Sequence, residues 1–180
     1  MTDERKKLKA ALHYVIRQYS MQPEKLGKVK LHKILWYTDG YAFALRGAPV
    51  IGAKYVRAPY GPMASELDDV LGELSKEGKI FFRTVDFHGM EKHEFFSKKD
   101  PDTSLFSEKD LSLLKGTADE ICEGHTATSI SEKTHDAIWE KARNGEELSY
   151  KLFLVAKFAP LQKSDWDWIN KETERLPKST

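Results

Sequence analysis

Residues 30–50 read KLHKILWYTDGYAFALRGAPV, an aromatic-rich apolar run inside a chain whose residues are 32% charged. Leu31, Ile34, Leu35, Thr38, Ala42 and Leu45 make one helical stripe, while Trp36, Tyr37, Tyr41 and Phe43 place aromatic surface on the other sides. A helix that is apolar nearly all round is a buried central helix, so a helix over about Val29–Leu45 is expected at the middle of the core. That reading confines Lys30, His32, Lys33 and Asp39 to a narrow remaining face or to the ends. Gly47 with Pro49 stops the helix.

Upstream, Leu8, Leu12, Val15, Ile16 and Tyr19 recur at helical spacing, leave Arg5, Lys6, Lys9 and Arg17 outside the stripe, and end before Pro23. Downstream, IGAKYVRA (51–58) reads as a short extended segment. Gly61 is then placed to cap a helix whose first residue is Pro62, with Met63, Leu67, Val70, Leu71 and Leu74 as its apolar face and Gly78 as its stop. KIFFRTVDF (79–87), a His88-Gly89 turn and EKHEFFS (91–97) read as a β-hairpin. Ser107 with Asp110 caps a helix carrying Leu111, Leu114, Ala118 and Ile121, ended by Gly124. SISEKTHDAIWEKARNG (129–145) predicts one further helix, capped by Ser129 or Ser131, with Ile138 and Trp139 inward. LSYKLFLVAKF (148–158) fits a short helix or a buried strand, and KSDWDWINKETERL (163–176) a polar terminal helix.

The expected architecture is therefore α+β and mainly helical, one compact domain of about six to eight helices with a small hairpin or short sheet. It spans residues 1–160, with a C-terminal helix and frayed tail over 161–180. A chain of 180 residues buries roughly two thirds of its unfolded surface. Its single cysteine, Cys122, excludes an internal disulfide and fits a reducing compartment. The N-terminus lacks an apolar signal region, and no window nears the ~20 apolar residues of a membrane span. A cytoplasmic protein with no membrane partner is expected.

Chemistry is sparse. His88, His93, Glu91 and Glu94 cluster near the hairpin turn without HExxH or Cys/His spacing, and neither GxGxxG nor GxxxxGK[ST] occurs. Ser131, Thr134, His135 and Asp136 sit together, but adjacent helical residues diverge by about 100°, so His135 and Asp136 form no oriented pair. His135 is expected instead to bond a cap or backbone group and to pack under Trp139. Cys122 beside Glu123 has no cation to lower its pKa. Hence no catalytic residue, metal or cofactor is expected, and an enzyme using the His135 region is the weaker alternative. Charge divides along the chain: residues 1–33 carry nine Lys or Arg against three acids, and residues 100–149 carry twelve acids against five bases. The basic start and the helix–helix–hairpin order admit a winged-helix-like DNA-binding regulator. The second helix is too apolar to read base edges, however, and DNA is not the expected partner.

The run KVKLHKILWYTDGYAFALRGAPVIGAKYVRAPYGPMASELDDVLGEL (28–74) resembles the SocA-like Panacea antitoxin domain, a bacterial and phage family once catalogued as phage-associated proteins. The matching residues are Lys30, Leu31, Lys33, Leu35, Tyr37, Gly40, Gly47, Pro49, Ala58, Tyr60, Gly61, Pro62 and Leu67, followed downstream by Ser131, Thr134, His135 and Trp139. The resemblance implies an antitoxin that neutralises a cognate protein toxin, encoded by the adjacent gene, through direct binding. One branch of the family delivers its toxin to a protease, so a protease or chaperone partner also follows from it. Some members carry an extra DNA-binding segment. This chain opens almost directly on the core and so departs from that subset, and whether it represses its own transcription is left open. Motif residues read mainly as scaffold, and Tyr55, Arg57, Tyr60 and Met63 are the candidate partner-binding residues. The hairpin near Phe87–Phe96 and the acidic stretch Glu108–Glu147 are further candidate surfaces. Oligomeric state is left open.

Overall fold

The computed structural model describes residues 2–87 and 89–153. α1 (Asp3–Tyr19) forms where its periodicity predicts, with Thr2 accepting from the Arg5 N–H at its start and Leu8, Leu12, Val15, Ile16 and Tyr19 buried. α2 (Lys28–Arg46) follows a short 3-10 turn at Pro23–Lys25 and ends on Gly47, whose left-handed backbone lets its N–H reach Phe43 O at 2.8 Å. It is the central helix: α4 (Glu108–Gly124) and α5 (Ala127–Lys133) pack on it, as do the strand β2 (Gly61–Ala64) and the 3-10 turn Tyr150–Leu152. The encasement changes one expectation. Lys30, His32, Lys33 and Asp39 are buried rather than held on a solvent face, whereas Leu45, assigned to the apolar stripe, is 79% exposed.

β1 (Tyr55–Ala58) lies between β2 and the two-residue β5 (Glu147–Leu148) in an antiparallel sheet. Here Gly61-Pro62 departs from the expected helix start. Ala58 faces Gly61 across a two-residue turn, Pro59-Tyr60, so Gly61, Pro62 and Met63 belong to a strand, and α3 begins only at Leu67, running to Lys76. Backbone pairing with β1 outweighs the local Gly-Pro signal. β3 (Ile80–Phe87) and β4 (Met90–Ser97) form the expected hairpin in unbroken register. α4 carries a complete Ser107/Asp110 capping box.

The predicted helix over 129–145 is two pieces. α5 is capped by Thr126 rather than by Ser129 or Ser131, and α6 (Ala137–Lys141) by Asp136, which accepts from the Ile138 and Trp139 N–H groups at 3.2 Å. The break falls at Thr134-His135, where an Asx cap competes with helix continuation. Of the ambiguous segment 148–158, Leu148 ends β5 (Glu147–Leu148) and Tyr150–Leu152 form the 3-10 turn; its residues 154–158, like the expected helix and tail at 161–180, lie outside the described residues. Phe153 closes the core edge-on against Trp36, Tyr37 and Tyr41. A Cβ on Gly40 would overlap that ring, so the helix needs glycine there for close approach. The structure is thus the mainly helical α+β domain expected, with six α-helices and two small sheets among the described residues. No described helix is long and apolar enough to cross a membrane.

Candidate functional site

Three polar residues of α2 reach sideways to fix the chain that follows it. Asp39 accepts from the N–H groups of Ile51, Gly52 and Ala53 (2.7, 3.0 and 3.3 Å) and from the Tyr55 hydroxyl (2.8 Å). Burial pushes its pKa up, and those four donors pull it partly back. His32 Nδ1 accepts from the Ala64 N–H at 3.1 Å, and burial lowers its pKa to about 3, so the ring is neutral at ordinary pH. Lys33, 1% exposed, donates from Nζ to Pro62 O at 3.0 Å, and burial drops its pKa to about 7. Neighbouring side chains of one helix thereby hold both halves of β2.

Gly61 is the contact point between distant parts of the sequence. Its φ is +96°, and a Cβ there would overlap the Thr134 hydroxyl and stand 2.7 Å from Lys33 Nζ. Thr134 is itself buried and donates to Ser131 O at 2.7 Å. Trp139 ties the other strand: its Nε1 donates to Ala58 O at 2.9 Å, and its carbonyl accepts from Arg57 Nε at 3.1 Å. The Arg57 guanidinium lies 4.0 Å from the indole centroid, and the His135 ring stacks on the same indole at 3.8 Å and 13°. Residues 30–67 and 131–139 therefore converge on the β1–β2 corner. Gly61→Ala should cost about 3 kcal/mol, combining left-handed strain with a clash against two buried groups. Chemical denaturation of the purified variant measures it, and a loss below about 1 kcal/mol would show that the corner yields.

The family model described as "Antitoxin SocA-like, Panacea domain" matches residues 31–140 and takes in both converging blocks. The chain belongs to the SocA-like Panacea family. No curated protein and no solved structure matches it. An antitoxin-type role is the one that this family description carries.

Within the Panacea domain the motif residues are mostly buried. Leu31, Lys33, Leu35, Tyr37, Leu67 and Thr134 are each at most 2% exposed, and Lys30 donates inward to Lys25 O and Cys122 O. Pro49 and Gly47 shape the exit of α2, where Arg46 donates to Pro49 O. Among the candidate contact residues, Tyr55 is a correction. It is fully buried with its hydroxyl on Asp39, because inward-facing positions of the β1 strand line the α2 side, and it cannot reach a partner. Tyr60 is 70% exposed at the corner, and Arg57 and Met63 are half-buried on the two adjoining strands, on opposite faces of the hairpin by the β1–β2 register.

The remaining expectations find different surroundings. His135 packs on Trp139 as expected, but its Nε2 is buried without the anticipated hydrogen bond. Burial, more than the neighbouring acids, pushes the Cys122 thiol up to about 11, and it does so against a cation the sequence did not place there, Lys30, which pulls it down. The basic start of the chain is largely matched by carboxylates: Arg5 with Glu66 and Glu73, Lys9 with Glu73 and Glu77, Arg17 with Asp100. The acidic α4 region is likewise engaged, through Arg46–Asp110, Lys115–Asp119, Lys133–Glu120 and Lys25–Glu123. His88 lies outside the described residues, and among those described no group of three His, Cys, Asp or Glu is set to hold a metal.

The buried network of His32, Lys33 and Asp39 is what sequence reasoning missed. One signal was present: three ionisable residues inside an otherwise apolar helix must find partners when that helix is enclosed.

Proposed function

We propose that the chain neutralises a cognate protein toxin in the cytoplasm by binding it directly, with the Tyr60 corner as the anchor of the contact. One observation carries the reading: the family's two motif blocks together immobilise a two-residue turn whose tyrosine is left 70% exposed. An amphipathic aromatic exposed on a backbone held in place by both blocks is the composition of an interface anchor, since little conformational entropy is lost when it docks. The pairing of the basic N-terminal side chains with carboxylates favours a protein partner over nucleic acid, whose phosphates require unmatched cations.

The test is co-expression with the reading frame adjacent to this gene, followed by titration of the purified pair. Growth arrest from the neighbour alone, rescue by this chain and a stable complex are the expected results. Tyr60→Ala should weaken the complex at least about 10-fold while leaving the fold intact, because the side chain points into solvent. Rescue without any complex would sink direct binding, and an unchanged affinity for Tyr60→Ala would remove the corner from the interface.

A further inference from the structure

The β3–β4 sheet has two edges, and only one is covered among the described residues. On β4, the outward N–H of Ser97 donates to Ser20 Oγ at the end of α1 (2.8 Å), and the strand lies against α1 and the Pro23–Lys25 turn. On β3, Phe81, Phe82, Arg83, Thr84, Asp86 and Phe87 are all exposed, and no described strand pairs with its outer side.

The ladder fixes which backbone groups that edge presents. Lys98 N–H donates to Lys79 O at 2.8 Å, and the register runs unbroken from Ile80↔Ser97 to Phe87↔Met90. In an antiparallel ladder, directly bonded pairs alternate with unbonded ones. Residues 81, 83, 85 and 87 therefore bond β4, while Ile80, Phe82, Thr84 and Asp86 aim their N–H and C=O groups outward. An edge of eight residues, free of proline and bulges, is a template for another extended backbone.

Pairing through those outward groups joins even-numbered positions to even-numbered positions, which limits how two copies can meet about a two-fold axis. An axis on Arg83 sets two arginines directly opposite each other, which is destabilising. An axis on Val85 pairs only residues 83–87. An axis on Thr84 pairs residues 81–87, with no like charges opposed. It sets Phe81 against Phe87 of the second copy at the closely spaced, unbonded positions, on the face where Phe81 already stacks on Phe96 (4.6 Å, 8°). We infer that β3 is a homodimer seam: two copies of this chain pair β3 with β3 antiparallel about Thr84, making one four-stranded sheet. With seven residues a side, the seam falls at the small end of specific interfaces, so the dimer forms in the micromolar range.

Sedimentation velocity on the full chain from about 5 to 500 µM reads the equilibrium directly. The expected result is a monomer passing to a dimer across that range. Thr84→Pro should hold the chain monomeric with an unchanged circular dichroism spectrum, because the N–H it removes points away from β4 and a proline φ suits an edge strand. Val85→Glu, which sets a carboxylate opposite Arg83 of the second copy, should tighten the dimer several-fold, and Val85→Lys should loosen it. A wild-type chain that stays monomeric throughout overturns the seam, as does a folded Thr84→Pro that dimerises normally. If Thr84→Pro fails to fold, the Val85 pair decides, and equal dimer constants for the two variants overturn it. A monomeric chain whose affinity for its toxin drops with Thr84→Pro would assign the edge to a strand of the toxin instead.

Discussion

Asp39→Ala is expected to lose about 4 kcal/mol of stability, lowering the melting temperature by roughly 10 °C. The substitution removes one carboxylate but orphans four donors: three successive backbone N–H groups at Ile51–Ala53 and the hydroxyl of the fully buried Tyr55. Each unsatisfied buried donor costs about 1–3 kcal/mol. Water has little entry, since Asp39 is fully buried on α2 and Tyr55 seals its far side against Trp36, with ring centroids 5.1 Å apart. Tyr55→Phe, by contrast, removes one donor and should cost about 1 kcal/mol. The two denaturation curves side by side give the test. Equal, small losses would mean that the loop after α2 is held by its own backbone and not by Asp39.

The second large effect is a rise in stability with pH above 7. Lys33 is held at a pKa of about 7 in the fold by burial, against about 10.4 for an unfolded lysine. Above pH 7 the folded side chain is therefore neutral while the unfolded one still carries its proton. The unfolded state binds more protons, and stability climbs by about 1.4 kcal/mol per pH unit. Cys122 acts in the opposite sense at higher pH. Its folded pKa of about 11 exceeds the ordinary thiol value, so above about pH 8.5 the unfolded chain ionises first and stability falls. The clean window is pH 7 to 8.5. Urea titrations there should show the wild-type chain gaining roughly 2 kcal/mol and Lys33→Met nearly flat. A wild-type curve as flat as that of Lys33→Met would mean that the ammonium keeps its proton through a partner that offsets its burial.

Local patterns carried most of the architecture. The stripe Leu8–Leu12–Val15–Ile16–Tyr19, the Ser107/Asp110 box and the two apolar arms around His88-Gly89 each depend on neighbours within a few residues, and each formed where its pattern placed it. Failures came where the deciding partner is distant. Gly61-Pro62 has the composition of a helix start, but its fate rests on β1, on Lys33 and on Thr134. Nothing nearby in the chain reports that Thr134 will press on Gly61. Lys33 and Asp39 look like surface residues by type, and only the amides and carbonyls at residues 51–62 explain why they are inside. For the candidate site, Tyr60 was singled out as a candidate contact residue and is exposed, though the tight turn that carries it was read as the approach to a helix. The burial of Tyr55 was not legible, because alternation along a four-residue strand gives its facing only once the sheet's covered side is known.

Phe153 gives the order of events during synthesis. Its ring fills the notch at Gly40, so the aromatic side of α2 stays unsealed until more than a hundred further residues have been made. At about 5–20 residues per second, that interval is on the order of ten seconds. Until it ends, Trp36, Tyr37 and Tyr41 lack the edge-on cover of the Phe153 ring. Emergence of Phe153, rather than formation of any single helix, is the step that closes the aromatic side of α2.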